Sequence, residues 1–158
     1  MADFNKLARI YDLLKSLIFG DCLEEATKHF LKIIPSNAKI LIIGGGTGQL
    51  LSNFNSTHQI KYVELSSAMI SKAKKVNSDA SIEFTQADIL KWNSNERFDF
   101  IITPFILDCF RELTLNSLIP KLKNNLAHNG SWIQTDFNPT NGLQKSLVSI
   151  MYFFFRMT

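Results

Sequence analysis

Ile40-Leu41-Ile42-Ile43-Gly44-Gly45-Gly46-Thr47-Gly48 is the stretch that decides the fold. Four apolar, mostly β-branched residues run straight into glycines, the pattern of a strand buried on both faces of a parallel sheet. Leu50, Leu51 and Phe54 follow at helical spacing, so the glycines occupy the turn between that strand and a short helix. A turn without Cβ atoms adopts positive φ and lets a ligand come close to the main chain. Free N–H groups at the start of the helix favour an anionic or electron-rich ligand group. Glu64 stands 16 residues beyond Gly48, at the end of the second expected strand. A carboxylate there faces the same crevice, where its two oxygens accept both hydrogens of a ribose diol.

Outward from this turn the alternation continues. Ile60 to Leu65 reads as a strand, Ser66 as the cap of a helix carrying Met69, Ile70, Ala73 and Val76, and Ile82 to Thr85 as a third strand. Phe98-Asp99-Phe100-Ile101-Ile102 is the fourth strand and Trp132 to Phe137 the fifth. Between them Leu115, Leu118, Ile119, Leu122 and Leu126 give helical spacing up to a stop at Asn129-Gly130, with Pro120 expected to kink that helix or begin a new one. Before the first strand, Phe4, Leu7, Ile10, Tyr11, Leu14, Leu17 and Ile18 mark one helix, and Leu23 to Ile34 a second that ends at Pro35. Strands alternating with helices imply an α/β fold, a three-layer doubly wound parallel sheet.

Composition narrows the field. The chain has 158 residues, 46% hydrophobic and 20% charged, which is ordinary globular composition and about one domain's worth. Lys plus Arg is 17 against 14 Asp plus Glu, a net charge of +3 with no basic block long enough to grip nucleic acid. No apolar run approaches the ~18 residues of a membrane span, and the first residues lack the basic-then-apolar order of a secretory signal. Two cysteines, Cys22 and Cys109, make no disulfide framework and suit a reducing cytoplasm. His29, His58 and His128 share no metal-ligand spacing, so no metal site is expected.

Glycine spacing separates the nucleotide classes. A dinucleotide fingerprint G-x-G-x-x-G counted from Gly44 needs its third glycine at 49, where Gln49 stands; counted from Gly46 it needs one at 51, where Leu51 stands. What remains is G-x-G-x-G at 44, 46 and 48. With this loop the chain resembles the class I S-adenosylmethionine-dependent methyltransferases, and the resemblance runs over most of its length. Residues 40–48 resemble the family's first motif. Tyr62-Val63-Glu64-Leu65-Ser66-Ser67-Ala68-Met69-Ile70 resembles the second, and Gln86-Ala87-Asp88-Ile89 the segment that reads the adenine edge. Phe98 to Phe105 resembles the fourth-strand motif, and Leu126 to Phe137 the passage into the fifth strand.

The resemblance implies strand order 3-2-1-4-5 and S-adenosylmethionine as cofactor. It implies Gly44, Gly45, Gly46, Thr47 and Gly48 at the cofactor, Glu64 on the ribose, and Leu65, Met69, Asp88, Ile89 and Thr103 around it. Tyr11 resembles a lid aromatic that closes over it, and Phe105 and Asp108 fall where substrate sits. Other readings stand beside these. Asp88 is equally an N-cap, Tyr11 a core tyrosine, Asp108 a loop residue near the next helix, and Cys109 a small apolar filler. No residue stands out as catalytic.

Two departures from the family pattern matter. The family usually carries Asp or Glu where Ile42 stands, and its sheet normally ends in an antiparallel hairpin, whereas the residues after Phe137 have room for one helix. The expected organisation is one domain: an N-terminal helical lid at 1–36, a core at 37–137 and a C-terminal helix at 138–158. The expected activity is methyl transfer to a small molecule. The rivals are a non-catalytic cofactor-binding domain and an aminopropyltransferase, although the latter's usual acidic residues are absent at Thr47 and Thr103. Neither nucleic acid nor membrane is an expected partner. Met151-Tyr152-Phe153-Phe154-Phe155 is apolar all round, so a homodimer through this segment or through an exposed sheet edge is expected.

Overall fold

The computed structural model describes residues 31–135. Within them five strands, β1 (Lys39–Ile43), β2 (Gln59–Glu64), β3 (Ser81–Gln86), β4 (Phe98–Pro104) and β5 (Leu126–Thr135), form one sheet in the order β3-β2-β1-β4-β5. Every pairing is parallel. The expected order is therefore the observed one. The chain order reverses between β1 and β4, and an open α/β sheet receives its ligand beyond the carboxyl ends of the strands at such a switch point.

Strand alternation sorts the apolar residues onto two faces. Ile40, Ile42, Ile60, Tyr62, Phe100, Ile102 and Ile133 face one side. There they meet Leu50, Leu51 and Phe54 from the 3-10 turn Gln49–Asn53 and its end, and Ala73 from helix α1 (Ser67–Ala73). Leu41, Ile43, Val63 and Ile101 face the other, against Leu118 and Leu122 of helix α2 (Glu112–Asn124) and Ile89 of the turn after β3. Most of these strand residues are fully buried, and each such aliphatic side chain contributes about 1.5–3 kcal/mol relative to an exposed one. Helices on both faces give the three layers expected.

The short helix expected after the glycines is there in 3-10 form. Several local expectations need correction. Helix α1 ends at Ala73 and leaves Val76 in the following turn. Helix α2 runs through Pro120 without a new start, because the ring occupies an exposed position in a helix anchored by Leu118 and Leu122. That helix ends at Asn124 rather than at Asn129-Gly130. The stop comes from Asn125, a buried amide that donates to the carbonyls of Ser94 (2.7 Å) and Glu96 (3.0 Å). Its own carbonyl accepts from Phe98 N, so β5 begins at once.

Asn129 and Gly130 lie instead in a register irregularity of β5. Phe98 pairs with Leu126 and Phe100 with Ser131, so residues 127–130 stand opposite Asp99 alone. A Cβ on Gly130 would come within 2.9 Å of the Asp99 carbonyl, the close approach a bulge glycine permits. The two N-terminal helices, Tyr11, Cys22 and the C-terminal segment 138–158 lie outside the described residues. Among the described residues no helix is long and apolar enough to cross a membrane, and no cluster of side chains fits a metal ion.

Candidate active site

The carboxyl ends of β1, β2, β3 and β4 meet around the glycine turn. Gly44 continues the ladder, its N–H donating to Val63 O at 2.9 Å, and Gly48 N closes the turn on Gly45 O at 3.1 Å. The turn touches three neighbours. A Cβ on Gly44 would fall 2.2 Å from Ile106 Cδ1 in the segment after β4; on Gly45, 2.5 Å from Tyr62 Oη; on Gly48, 2.9 Å from the Ala73 Cα of α1. Gly46 differs from all three. Its φ is +61°, in the left-handed region, yet a Cβ there would meet nothing within 4 Å among the described residues. The bare main chain at Gly46 thus opens onto free space, the cradle a ligand needs.

Glu64 sits beside that opening. Its Oε2 accepts from Gly46 N (3.2 Å) and its Oε1 from Ser66 N (2.9 Å), so the expected carboxylate and the glycine loop are brought together. A carboxylate has about four acceptor sites, so these bonds do not exhaust it. Burial pushes the Glu64 carboxyl above its ordinary value, and the N–H groups of Ser66, Gly46 and Leu65 pull the other way. Ser66 also caps α1, its side chain accepting from Met69 N at 3.3 Å. This cap fixes where α1 starts relative to Glu64.

The remaining expected residues divide by placement. Leu65 is 44% exposed, a large apolar side chain in solvent, whereas Met69 and Ile89 are buried. Asp88 is half-buried and its Oδ1 accepts from Leu90 N (2.9 Å), so it caps the turn 88–92 as the capping alternative anticipated. Lys121 of α2 ties down the same turn, donating to Ile89 O (3.1 Å) and Leu90 O (3.0 Å). Gln86 donates to Leu65 O (3.3 Å), joining this turn to the end of β2. Thr47 is half-buried within the loop, and Asp108 half-buried in the 3-10 turn Leu107–Cys109 after β4. Thr103 is wholly buried and its hydroxyl accepts from Trp132 Nε1 at 2.9 Å. Ile42, where the family usually has an acid, is fully buried between Tyr62 and Ile102.

Three features escaped the sequence reading. Tyr62 is fully buried and its phenol donates to Gly46 O at 2.9 Å; the signal was its parity with Glu64, two residues on along the same strand face. Phe105 has φ 54°, a strained conformation for a bulky residue, held by its N–H donating to Thr135 O at 2.8 Å. Thr135, at the end of β5 and paired with Pro104, has a buried hydroxyl with no hydrogen-bond partner among the described residues. Neither of the last two leaves a mark in composition or spacing.

Comparison with known proteins follows this geometry. Residues 40–130 match the methyltransferase domain family, an interval that covers all five strands except the first residue of β1 and the end of β5. Among solved structures, the chain is similar to DhpI in complex with SAH, at a TM-score of 0.73 and 17% identity over 86% of this chain and 66% of that one. It is similar to the plantazolicin methyltransferase BpumL in complex with SAH, at 0.67 and 23% identity over 96% of this chain and 63% of that one. It is also similar to phosphoethanolamine N-methyltransferase 1 of Haemonchus contortus, at 0.67 and 16% identity, over 84% and 31%. The chain thus spans at most about two thirds of the length of these structures. No curated protein sequence matches it. The strand order, the glycine turn with Glu64 beside it and the match over more than half of the chain together place this protein in the methyltransferase domain family.

Proposed function

We propose that the chain transfers a methyl group from S-adenosylmethionine to a small-molecule acceptor. The observation that carries this reading is Gly46, whose open left-handed backbone lies within hydrogen-bond reach of the half-buried Glu64 carboxylate. A loop that approaches a ligand with main chain alone, beside a carboxylate with acceptor capacity left, fits an adenosyl ribose. The presence of SAH in DhpI and BpumL, and an amine acceptor in the name of the Haemonchus enzyme, support the same donor and a small acceptor.

On this reading residues 44–48 hold the donor through their main chain, Glu64 accepts the ribose hydroxyls, and Leu65 covers the adenine with Met69 and Ile89 behind it. Asp88 keeps one carboxylate oxygen for the adenine edge while the other caps its turn. When bound, S-adenosylmethionine supplies a methyl already made electrophilic by its sulfonium. The chain's own part is to hold donor and acceptor in line and keep water out, and placement of this kind lowers a barrier by about 7–11 kcal/mol. Phe105, Asp108 and the Thr135 hydroxyl stand at the ends of β4 and β5, where the acceptor enters. Tyr11 and residues 1–36 act as the lid, with 138–158 as a closing helix.

Aminopropyl transfer is not favoured, because Thr47 and Thr103 stand where such an enzyme usually has acidic residues. The protein works in the cytoplasm without nucleic acid or membrane, and it pairs with a second copy through residues 151–155 or the exposed edge of β3. Thermal melts with S-adenosylmethionine, SAH and NAD test the central reading. A ligand at ~100 times its dissociation constant adds about 2.7 kcal/mol. A shift with both adenosyl compounds and none with NAD is expected; a shift with NAD alone overturns it. Binding without turnover across amine and hydroxyl acceptors would leave a cofactor-binding domain in its place.

A further inference from the structure

Two of the loop glycines are explained by neighbours that any fold of this class provides: the segment after β4 for Gly44, and α1 for Gly48. Gly45 is not. Its backbone has no positive φ, so an alanine there carries no conformational penalty. The three atoms nearest to where a Cβ would stand all belong to Tyr62, Oη at 2.5 Å, Cε2 at 2.6 Å and Cζ at 2.7 Å. Tyr62 in turn is fully buried, its phenol turned toward the loop. Its ring lies in the core between Ile42 and Phe84, the Phe84 centroid at 5.3 Å, and its hydroxyl reaches Gly46 O. A phenylalanine fills the same space; the hydroxyl adds only this one bond, and a buried phenol needs such a partner.

Gly46 is therefore gripped at both ends of its peptide frame. Its N–H donates to Glu64 and its carbonyl accepts from the Tyr62 phenol, while its Cα faces the open side. Both gripping side chains come from one face of β2, two residues apart, so one strand sets the shape of the loop in the free protein. We propose, on the donor-binding reading above, that Tyr62 is a positioning residue that fixes the glycine loop in its ligand-receiving shape, and that Gly45 is glycine for the sake of Tyr62. The loop is thereby ordered before the donor arrives, and binding does not have to supply that order.

Two measurements on the full chain decide this. In Tyr62→Phe, amide exchange at Gly46 and Gly48 in the ligand-free protein is expected to quicken. The SAH dissociation constant, read by calorimetry, is expected to rise about 2- to 12-fold, the worth of one neutral hydrogen bond. Unchanged exchange, or an unchanged SAH constant at a lowered melting temperature, means that the phenol is only core filler and overturns the proposal. The second measurement is a double-mutant cycle read by urea unfolding. Gly45→Ala is expected to lower the folding equilibrium constant about tenfold or more beside Tyr62, and far less in a Tyr62→Leu background, which lacks the crowding atoms. Equal costs in the two backgrounds overturn the link. If the unaltered protein does not bind SAH at all, the donor reading fails by itself, and loop exchange with the Gly45 cycle still decides the role of Tyr62.

Discussion

At the amino end of the sheet Glu96 bonds both Lys39 (2.7 Å) and Lys61, Lys61 also reaches Glu83 (3.1 Å), and Lys39 N donates to the Asp99 carboxylate. Asn125 there fills two carbonyls with one amide. At the carboxyl end, among the described residues, Glu64 is held in a partly buried position with no cation among its partners, Phe105 is strained, and the Thr135 hydroxyl is left without a partner. The same strands carry both ends. Polar groups at the first are satisfied and hold the fold; those at the second keep acceptor capacity in hand, as a surface built to receive a ligand must.

Substitutions that cross this divide test it, beginning with the largest effect. Gly48→Ala forces a Cβ against the Ala73 backbone at φ +78°, and urea unfolding should show a loss of about 3 kcal/mol from overlap and strain together. Gly46→Ala meets no atom among the described residues, so its stability cost is only the ~1–2 kcal/mol of the left-handed backbone. Its SAH affinity, by contrast, should fall about tenfold or more, because the new methyl enters the ligand's space. If Gly46→Ala harmed folding as much as Gly48→Ala and spared binding, the two glycines would not differ in kind.

Glu64 sharpens the contrast through pH. The ionised carboxylate is the form that accepts ribose hydroxyls, and its folded-state value lies above the ordinary 4.5. SAH affinity should therefore decline on acidification with a midpoint above 4.5, and Glu64→Gln should weaken binding by about 1–3 kcal/mol and abolish that pH dependence. A flat affinity profile in the unaltered protein would remove the carboxylate from the site. The smallest effect belongs to the other end. Hydrogen bonds from Lys39 and Lys61 hold the Glu96 carboxyl down at about 2. A depressed carboxylate stabilises above its unfolded value, and that contribution is lost as pH falls from about 4.5 through about 2. Because Glu96 is 37% exposed, Glu96→Gln should cost no more than ~1 kcal/mol near neutrality and leave SAH binding untouched.

The legible part of the molecule was the part written in period and spacing. Ile40 to Gly48 announced a buried strand and a close-approach turn, and the interval to Glu64 placed the carboxylate beside it, as found. The strand order followed from the alternation and the family resemblance. The misplaced helix end shows what period cannot carry. Asn129-Gly130 is a sound local stop signal, but Asn125 ends the helix earlier through carbonyls of a segment 29 to 31 residues away. Thr103 was legible as a strand-end residue but not as the partner of Trp132, another contact across 29 positions. Tyr62 was visible in the motif, yet its purpose lies in a carbonyl 16 residues upstream that only the assembled sheet brings within reach.

The irregular pairing of β4 with β5 has a consequence for how this sheet tolerates change in length. Between β1 and β2 and between β2 and β3 the pairing is unbroken, so losing one residue would turn every later side chain to the opposite face. Residues 127–130 already stand as slack opposite Asp99, and regular pairing resumes at Phe100 and Ser131. Trimming or extending the chain there leaves Pro104 facing Thr135, so variation in loop length at this one seam is insulated from the chemistry at the far edge.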